Sequence, residues 1–211
     1  MSLIYLIRHG QTDWNREKIF RGLADRPLSE HGKREAQAVA RFLAKERIQF
    51  IYASPLKRAI ETAEPLARDK GRNVEVLKGV IDLDFGEWSG MPMKEVRDRY
   101  PEIFENFMKR PEKAVFPAGE TLDQAQQRAM AAIREVAERH PEETIAVVTH
   151  RVICKVVLLG ILGLGVSQFW KISQDTACIN LFEYRPERVV IRYINESCHI
   201  RNLEGHSSLD F

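Results

Sequence analysis

Three short apolar runs, each followed at once by charged or imidazole side chains, constrain what this chain can fold into. The runs cover residues 3–7, 50–53 and 145–148. None alternates apolar with polar residues, which is typical of strands buried on both faces of a parallel sheet. Helix signals lie between the runs, and strand, helix, strand, helix is the α/β order. The sequence therefore predicts an α/β fold with a mostly parallel sheet.

The helix signals are specific enough to place individual residues. Ser54 and Pro55 form a pair typical of an N-cap and a first helical position, which places Arg58 within or just past the first turn. Thr121 with Gln124 three residues later predicts a capping box before a further helix. The first of these helices follows the strand predicted over 50–53, and the second precedes the strand predicted over 145–148, as the α/β order requires.

The segment from residue 85 to 117 differs from the rest of the chain. It is rich in aromatic residues and methionine and contains prolines at 92, 101, 111 and 117. We expect one domain over 1–211, in which 85–117 forms a partly helical cap over a functional site. The side chains expected to shape a semi-apolar entrance are Phe85, Trp88, Met93 and Phe107.

Two later runs, residues 178–182 and 189–193, predict a hairpin at the edge of the sheet. The apolar stretch 152–166 contains Lys155 and is shorter than the roughly 20 residues that span a bilayer. It is therefore expected to be a buried helix, and no membrane association is predicted. The first residues lack the features of a signal peptide, so a cytoplasmic location is expected.

Charge and cysteine content exclude several classes of function. The 32 Lys and Arg nearly balance the 30 Asp and Glu, leaving a net charge of +2 that gives no reason to expect a nucleic acid partner. Cys154, Cys178 and Cys198 are odd in number and lack C-x-x-C spacing, so neither a disulfide framework nor a zinc cluster is predicted. Any attraction for an anion must therefore be local.

Such a local site is predicted at the carboxyl ends of the strands, where ligands bind in open parallel sheets. Arg8, His9, Arg58 and His150 all follow predicted strands at that edge. Two guanidinium forks and two imidazoles suit a tetrahedral dianion such as a phosphoryl group. The four residues therefore predict a site for a phosphate ester.

A histidine in such a site can act as a nucleophile. A neutral imidazole nitrogen attacks phosphorus without a metal, and water cleaves the resulting phosphoramidate. We expect His9 in this role, with Arg8, Arg58 and His150 neutralising the charge. The proton donor for the leaving alcohol is expected among carboxylates that follow the strand predicted over 74–77; Asp82 is favoured, and the alternatives are Asp84 and Glu87.

Five segments together resemble the histidine phosphatase superfamily, also called the phosphoglycerate mutase-like family. They are residues 6–15, 27–32, 54–63, 84–90 and 147–150. The resemblance covers nearly the whole chain. It implies a three-layer α/β/α sandwich with a helical cap, and a phosphatase that needs neither cofactor nor metal.

The resemblance also implies roles for individual residues. His9 is the residue that is phosphorylated, and Asp82 stands where the family usually has a glutamate as the acid. Arg151 follows His150 where many relatives have glycine, which adds a positive charge to the pocket wall. The residues implied to bind phosphate or substrate are Arg8, Asn15, Arg21, Gly22, Arg58, His150 and Arg151.

The chain resembles the compact phosphatase branch of the family. Residues 84–88 are similar to α-ribazole-phosphate phosphatases, whereas 174–175 and 195–199 are similar to metal-independent phosphoserine phosphatases. We therefore expect a phosphomonoesterase acting on small phosphate esters. Two alternatives remain: a cofactor-dependent phosphoglycerate mutase, and a phosphate-binding regulatory module with weak catalysis. The oligomeric state is left open, with a homodimer as one option.

Overall fold

The strands of the chain form one twisted sheet. A computed structural model describes residues 1–203, except for the side chain of Arg16. Within that part the sheet has six strands in the order β3-β2-β4-β1-β5-β6. Their bounds are Ser2–Arg8 (β1), Phe50–Ala53 (β2), Val74–Val76 (β3), Thr144–Thr149 (β4), Ile179–Arg185 (β5) and Arg188–Glu196 (β6).

The pairing of the strands confirms the predicted mostly parallel sheet. β4 lies between β1 and β2 and is parallel to both, and β3 is parallel to β2. β5 runs antiparallel to β1 and to β6, so the last two strands form the predicted hairpin at the sheet edge. The carboxyl ends of β1, β2 and β4 consequently meet at one edge.

The helices connect these strands and cover both faces of the sheet. Their bounds are Asp13–Arg16 (α1), Glu30–Phe42 (α2), Lys57–Lys70 (α3), Met93–Arg99 (α4), Pro101–Lys109 (α5), Leu122–Arg139 (α6) and Arg151–Ile161 (α7). The predicted capping box is present at the start of α6, where the side chains of Thr121 and Gln124 bond each other's backbone N–H. No helix within residues 1–203 is long and apolar enough to cross a membrane.

Alternation along the central strands produces two separate cores, because successive side chains of a strand point to opposite faces. Tyr5 and Ile7 of β1 belong to the core that contains the apolar residues of α2 and α3. Ile4 and Leu6 belong to the core that contains those of α6 and α7. The predicted three-layer α/β/α sandwich is thus confirmed.

The prediction for Ser54 as a helix cap is wrong. Helix α3 begins at Lys57, and Leu56 occupies the N-cap position. The Ser54 hydroxyl instead lies 2.6 Å from Nε2 of His150, the residue that directly follows β4. Arg58 is nevertheless in the first turn of α3, as expected.

The cap segment is built around a buried indole. Trp88 is 0% exposed, and its ring packs edge-on against Phe20 and Phe116 at centroid distances of 5.0 and 4.9 Å. The prediction that Trp88 and Met93 shape an entrance is therefore wrong, because Trp88 is in the core and Met93 packs against it. The division into one domain over 1–211 stays a prediction, since 204–211 lie outside the described residues.

Trp88→Ala is expected to lower the free energy of unfolding by about 3–5 kcal/mol, because it removes a large ring from a packed aromatic cluster. Chemical denaturation with fluorescence or circular dichroism measures this change. Val115→Ala is the matched control in the same segment, because Val115 is 63% exposed and its loss costs below about 0.5 kcal/mol. Equal stability of the two variants would contradict the assignment of Trp88 to the core.

Candidate active site

The fold brings the four predicted phosphate-site residues to one edge of the sheet. Arg8 is the last residue of β1 and His9 follows it, while His150 follows β4. Arg58 lies in the first turn of α3, just after β2. All four side chains are fully buried. The centroids of the two imidazole rings are 5.2 Å apart, so the cluster is compact.

One hydrogen bond fixes the orientation of the His9 imidazole. Its Nδ1 lies 2.6 Å from the carbonyl oxygen of Gly10. A carbonyl oxygen accepts and never donates, so Nδ1 carries the hydrogen and Nε2 of the neutral ring keeps its lone pair. Nε2 is buried and has no hydrogen-bond partner among the described residues. His9 therefore presents an unpaired nucleophilic nitrogen.

The electrostatic environment keeps His9 neutral. Burial lowers the pKa of His9 well below its ordinary value, and the positive charges of Arg58 and Arg8 and the nearby His150 lower it further. Desolvation penalises an imidazolium, and like charges do the same. The cations suited to holding a phosphate thus also preserve the lone pair on the nucleophile.

The backbone after His9 is fixed by residues that sequence reasoning missed. The Gly10 N–H donates to Thr62 Oγ1 at 3.0 Å, and the Gln11 N–H donates to Glu35 Oε2 at 2.6 Å. A Cβ on Gly10 would lie 2.7 Å from the carbonyl oxygen of Gly32, so this close approach requires glycine. Thr62 and Glu35 are polar residues on the buried faces of α3 and α2, which was the available signal.

Arg58 is the most connected group of the cluster. Its Nε donates to His150 Nδ1 at 3.2 Å, and its Nη1 donates to the Ala24 carbonyl at 2.7 Å. Its Nη2 donates both to the Gly22 carbonyl and to Asp82 Oδ2, each at 2.9 Å. A single buried guanidinium thereby holds the second histidine, the loop that contains Gly22, and the favoured acid.

These contacts also define the state of His150. Because Nδ1 accepts from Arg58, the neutral ring carries its hydrogen on Nε2 and donates it to Ser54 Oγ at 2.6 Å. Burial lowers the pKa of His150 well below its ordinary value, and the charges of Arg58, Arg21 and Arg128 lower it further. His150 is therefore neutral in the absence of an anion.

Among the three candidate acids, the structure brings Asp82 to the cluster. Its Oδ1 accepts from the Leu83 N–H at 2.9 Å, while its Oδ2 lies 3.5 Å from His150 Nδ1. Asp84 instead accepts from the Gly86 N–H within its own turn, and Glu87 accepts from the Tyr100 hydroxyl on the exposed surface. Geometry therefore favours Asp82 over both alternatives.

A cleft opens in front of Asp82. Arg151 lies on one wall, with its guanidinium 5.5 Å from the centroid of the Trp170 ring. Phe85 and Phe107 also lie on its walls. Asn15 is not among the lining residues, and neither are the buried side chains of Arg8, His9, Arg58 and His150. The lining residues are Ile19, Phe20, Arg21, Gly22, Asp82, Phe85, Phe107, Arg151, Val152 and Phe169.

Two further predicted binding residues lie between β1 and α2, Asn15 in the short helix α1 and Gly22 in the loop that follows it. Asn15 is buried, and its Oδ1 accepts from both the backbone N–H and the hydroxyl of Thr12 at 2.8 Å. Gly22 has a φ of +50° and lies against Ser89, whose Oγ would be 2.7 Å from an added Cβ. Asn15 thus shapes the loop, and Gly22 allows the turn that aims its carbonyl at Arg58.

Arg8 is oriented by a segment near the end of the chain. Its Nη1 donates to the Gln174 carbonyl at 2.6 Å. The Gln174 side chain bonds Asn180, and the Asn180 amide donates to the Leu6 carbonyl of β1 at 3.0 Å. Asn180, a buried amide in an apolar strand, was not identified from the sequence.

No group of three His, Cys, Asp or Glu side chains able to hold a metal ion occurs within residues 1–203. The two buried cysteines offer no alternative nucleophile, because burial raises the pKa of the Cys178 thiol to about 12 and that of Cys154 well above its ordinary value. Such thiols remain protonated at neutral pH. His9 and His150 therefore remain the candidate nucleophiles at this edge of the sheet.

Comparison with known proteins gives the site a family. The model of the histidine phosphatase superfamily (branch 1) matches residues 4–197. Phosphoserine phosphatase 1 of Hydrogenobacter thermophilus is 36% identical over 213 residues, which cover 99% of this chain and 100% of that protein. YhfR of Bacillus stearothermophilus is 27% identical with a TM-score of 0.91, over 95% of this chain and 100% of that one.

A phosphoserine phosphatase mutant from Entamoeba histolytica, solved in complex with phosphoserine, has a TM-score of 0.86 at 26% identity, over 95% of this chain and 100% of that one. An α-ribazole phosphatase from Shigella flexneri shares the fold, with a TM-score of 0.83 at 22% identity over 92% of this chain and 96% of that one. The resemblance drawn from the motifs is confirmed: the chain belongs to the histidine phosphatase superfamily.

Proposed function

We propose that this phosphatase hydrolyses small phosphate monoesters without a metal ion, through a phosphohistidine formed on Nε2 of His9. The observation that carries the proposal is the unpaired, buried Nε2 of a ring whose Nδ1–H is held by Gly10. Arg8, Arg58 and His150 are buried at the same edge as this nitrogen, and the two guanidinium groups are the kind of donor that a phosphoryl group requires. His150 lies in the same cationic setting, but both of its ring nitrogens already have hydrogen-bond partners.

In the first step Nε2 of His9 bonds to phosphorus while the ester P–O bond breaks. The substrate phosphate takes the place of the Asp82 carboxylate on the Arg58 guanidinium, where the two are 2.9 Å apart in the free enzyme. A carboxylate released beside a dianion takes up a proton, because two adjacent negative groups repel each other. Asp82 then gives that proton to the departing alcohol oxygen.

In the second step water attacks the phosphohistidine. Asp82, now a carboxylate, accepts a proton from that water as the P–N bond breaks, which releases inorganic phosphate and restores neutral His9. Arg8 and Arg58 hold the equatorial oxygens in both steps, which is the main contribution of a protein to phosphoryl transfer. The two half-reactions use the same groups, so ping-pong kinetics are expected.

Phosphoserine is the first substrate that we propose to test. The relative at 36% identity is named a phosphoserine phosphatase, and a related structure holds phosphoserine itself. The cleft supports an ester with further charge, because Arg21 and Arg151 lie on its walls beside apolar rings. The α-ribazole phosphate ester is the second candidate, supported by the Asp-Phe-Gly-Glu-Trp turn over 84–88.

His9→Ala is expected to lower the hydrolysis of p-nitrophenyl phosphate by at least about 1000-fold, because it removes the nucleophile. The assay is run in excess EDTA, which wild type is expected to tolerate. His140→Asn is the control, since His140 follows α6 and stacks on Phe50, away from the cluster. Loss of wild-type activity in EDTA would contradict metal independence.

Identification of the reaction products separates the alternative functions. With 3-phosphoglycerate and a trace of bisphosphoglycerate, a phosphatase releases inorganic phosphate, whereas a mutase yields 2-phosphoglycerate. A binding module would bind phosphate esters, but neither wild type nor His9→Ala would turn them over appreciably. Activity indifferent to His9→Ala would rule out the proposed intermediate.

Asp82→Asn is expected to lower kcat/KM for phosphoserine by about 100- to 10,000-fold, because an amide cannot donate the proton that the alkoxide needs. Asp84→Asn and Glu87→Gln are matched controls, and each is expected to change kcat/KM by less than about threefold. Their carboxylates bond Gly86 and Tyr100, away from Arg58. A larger effect at either control position would transfer the role of the acid to that residue.

The pH dependence of activity tests the neutrality of His9. Its pKa is held well below the ordinary value by burial and by neighbouring positive charge, so the ring of the free enzyme stays neutral as the pH falls through that value. We expect kcat/KM for p-nitrophenyl phosphate to stay within about twofold between pH 8 and pH 6. A histidine with an ordinary pKa of about 6.5 would lose about three-quarters of its neutral form by pH 6, and a decline of that size would contradict the proposal.

A further inference from the structure

We propose that Arg128 is a positioning residue for the proton donor Asp82, so that it governs the protonation of the leaving group from outside the site. The inference rests on the proposed function, in which Asp82 is the acid. Arg128 lies in α6 and does not line the cleft in front of Asp82. It differs from Arg8 and Arg58 in position, because it does not follow β1 or β2 and its donors bond the backbone of residues 79–82 and the Glu120 carboxylate.

The contacts of Arg128 cover the backbone that leads into Asp82. Its Nη1 donates to the carbonyl oxygens of Gly79 at 2.9 Å and Ile81 at 2.8 Å, and its Nη2 donates to that of Asp82 at 3.0 Å. The intervening carbonyl, that of Val80, accepts from the Thr149 hydroxyl at 2.6 Å. Four successive carbonyls are therefore fixed by two side chains.

Glu120 completes the arrangement on the other side of Asp82. Arg128 Nε donates to Glu120 Oε2 at 2.9 Å, and its Nη2 also bonds Glu120 Oε1. The same Oε1 accepts from the Asp84 N–H at 3.1 Å, and the Glu120 N–H donates to the Asp84 carbonyl at 2.9 Å. One ion pair thus holds the backbone both before and after the acid.

This restraint matters because residues 81–85 belong to no helix or strand. Their backbone has no regular ladder of hydrogen bonds, so its position depends on contacts of this kind. An aspartate has a short side chain with two torsions, and its carboxylate follows the backbone closely. A misplacement of about 1 Å in a reacting group can cost about 100-fold in rate.

A positioning role makes a prediction that a merely structural role does not. A p-nitrophenolate leaves without a proton, whereas the alkoxide of phosphoserine needs one from Asp82. Because kcat/KM reports the steps up to phosphohistidine formation, the ratio of kcat/KM for phosphoserine to kcat/KM for p-nitrophenyl phosphate measures proton donation. Loss of overall structure would lower both rate constants together.

The experiment compares Arg128→Gln and Arg128→Lys with Arg134→Gln, a matched control at an exposed position of the same helix. We expect Arg128→Gln to lower the ratio by about 10- to 100-fold, Arg128→Lys to lower it less, and Arg134→Gln to leave both rate constants unchanged. In an Asp82→Asn background, Arg128→Gln should not lower the ratio further, because the two residues act as one unit.

An equal loss on both substrates would overturn the inference, as would a fall in the ratio that persists in the Asp82→Asn background. Should Arg128→Gln fail to fold, Arg128→Lys and Glu120→Gln carry the same test, because each weakens the ion pair. A wild-type enzyme without turnover of either ester would instead contradict the proposed function, and this inference with it. The two failures are therefore distinguishable.

Discussion

The site depends on the burial of one positive charge, that of Arg58. A guanidinium removed from water carries a large desolvation cost, which in proteins is offset by pairing and hydrogen bonding. Arg58 makes four such bonds, to His150, to the carbonyls of Gly22 and Ala24, and to Asp82. These partners come from three different segments of the chain. The requirement to satisfy this charge therefore draws the loop after β1, the end of β4 and the acid to one point.

The same charge has a second effect on the chemistry. It lowers the pKa of both buried histidines, although burial itself is the larger cause. An imidazole that were protonated here would lose its nucleophilic lone pair and would add repulsion to an already cationic cluster. The cations that we propose to bind the phosphoryl group thus also keep His9 in its neutral form, and a chain with a net charge of only +2 concentrates this positive charge locally.

Much of this edge could be predicted from the sequence because strand ends in a parallel sheet converge. The apolar runs located β1, β2 and β4 to within one residue at either end, and the residues after them fell beside one another. Contacts between distant segments leave no such pattern. Ser54 and Pro55 predict a helix cap, but the Ser54 hydroxyl instead bonds His150, which is distant in sequence. Trp88 is buried because aromatic rings from other segments pack around it. The role of Arg128 has no sequence signal, since nothing periodic indicates which carbonyls a guanidinium will reach.

The ion pair between Arg58 and Asp82 has a consequence for product release. In the free enzyme the carboxylate occupies a place on the guanidinium that a phosphate oxygen needs. It is a tethered competitor, and tethering gives such a group an effective concentration of the order of millimolar or more. Inorganic phosphate must displace it in order to rebind, whereas an ester gains additional contacts in the cleft. Under the proposed mechanism, a phosphate group of product or of substrate must therefore displace Asp82 before it reaches Arg58, and only the ester has cleft contacts to offset that displacement.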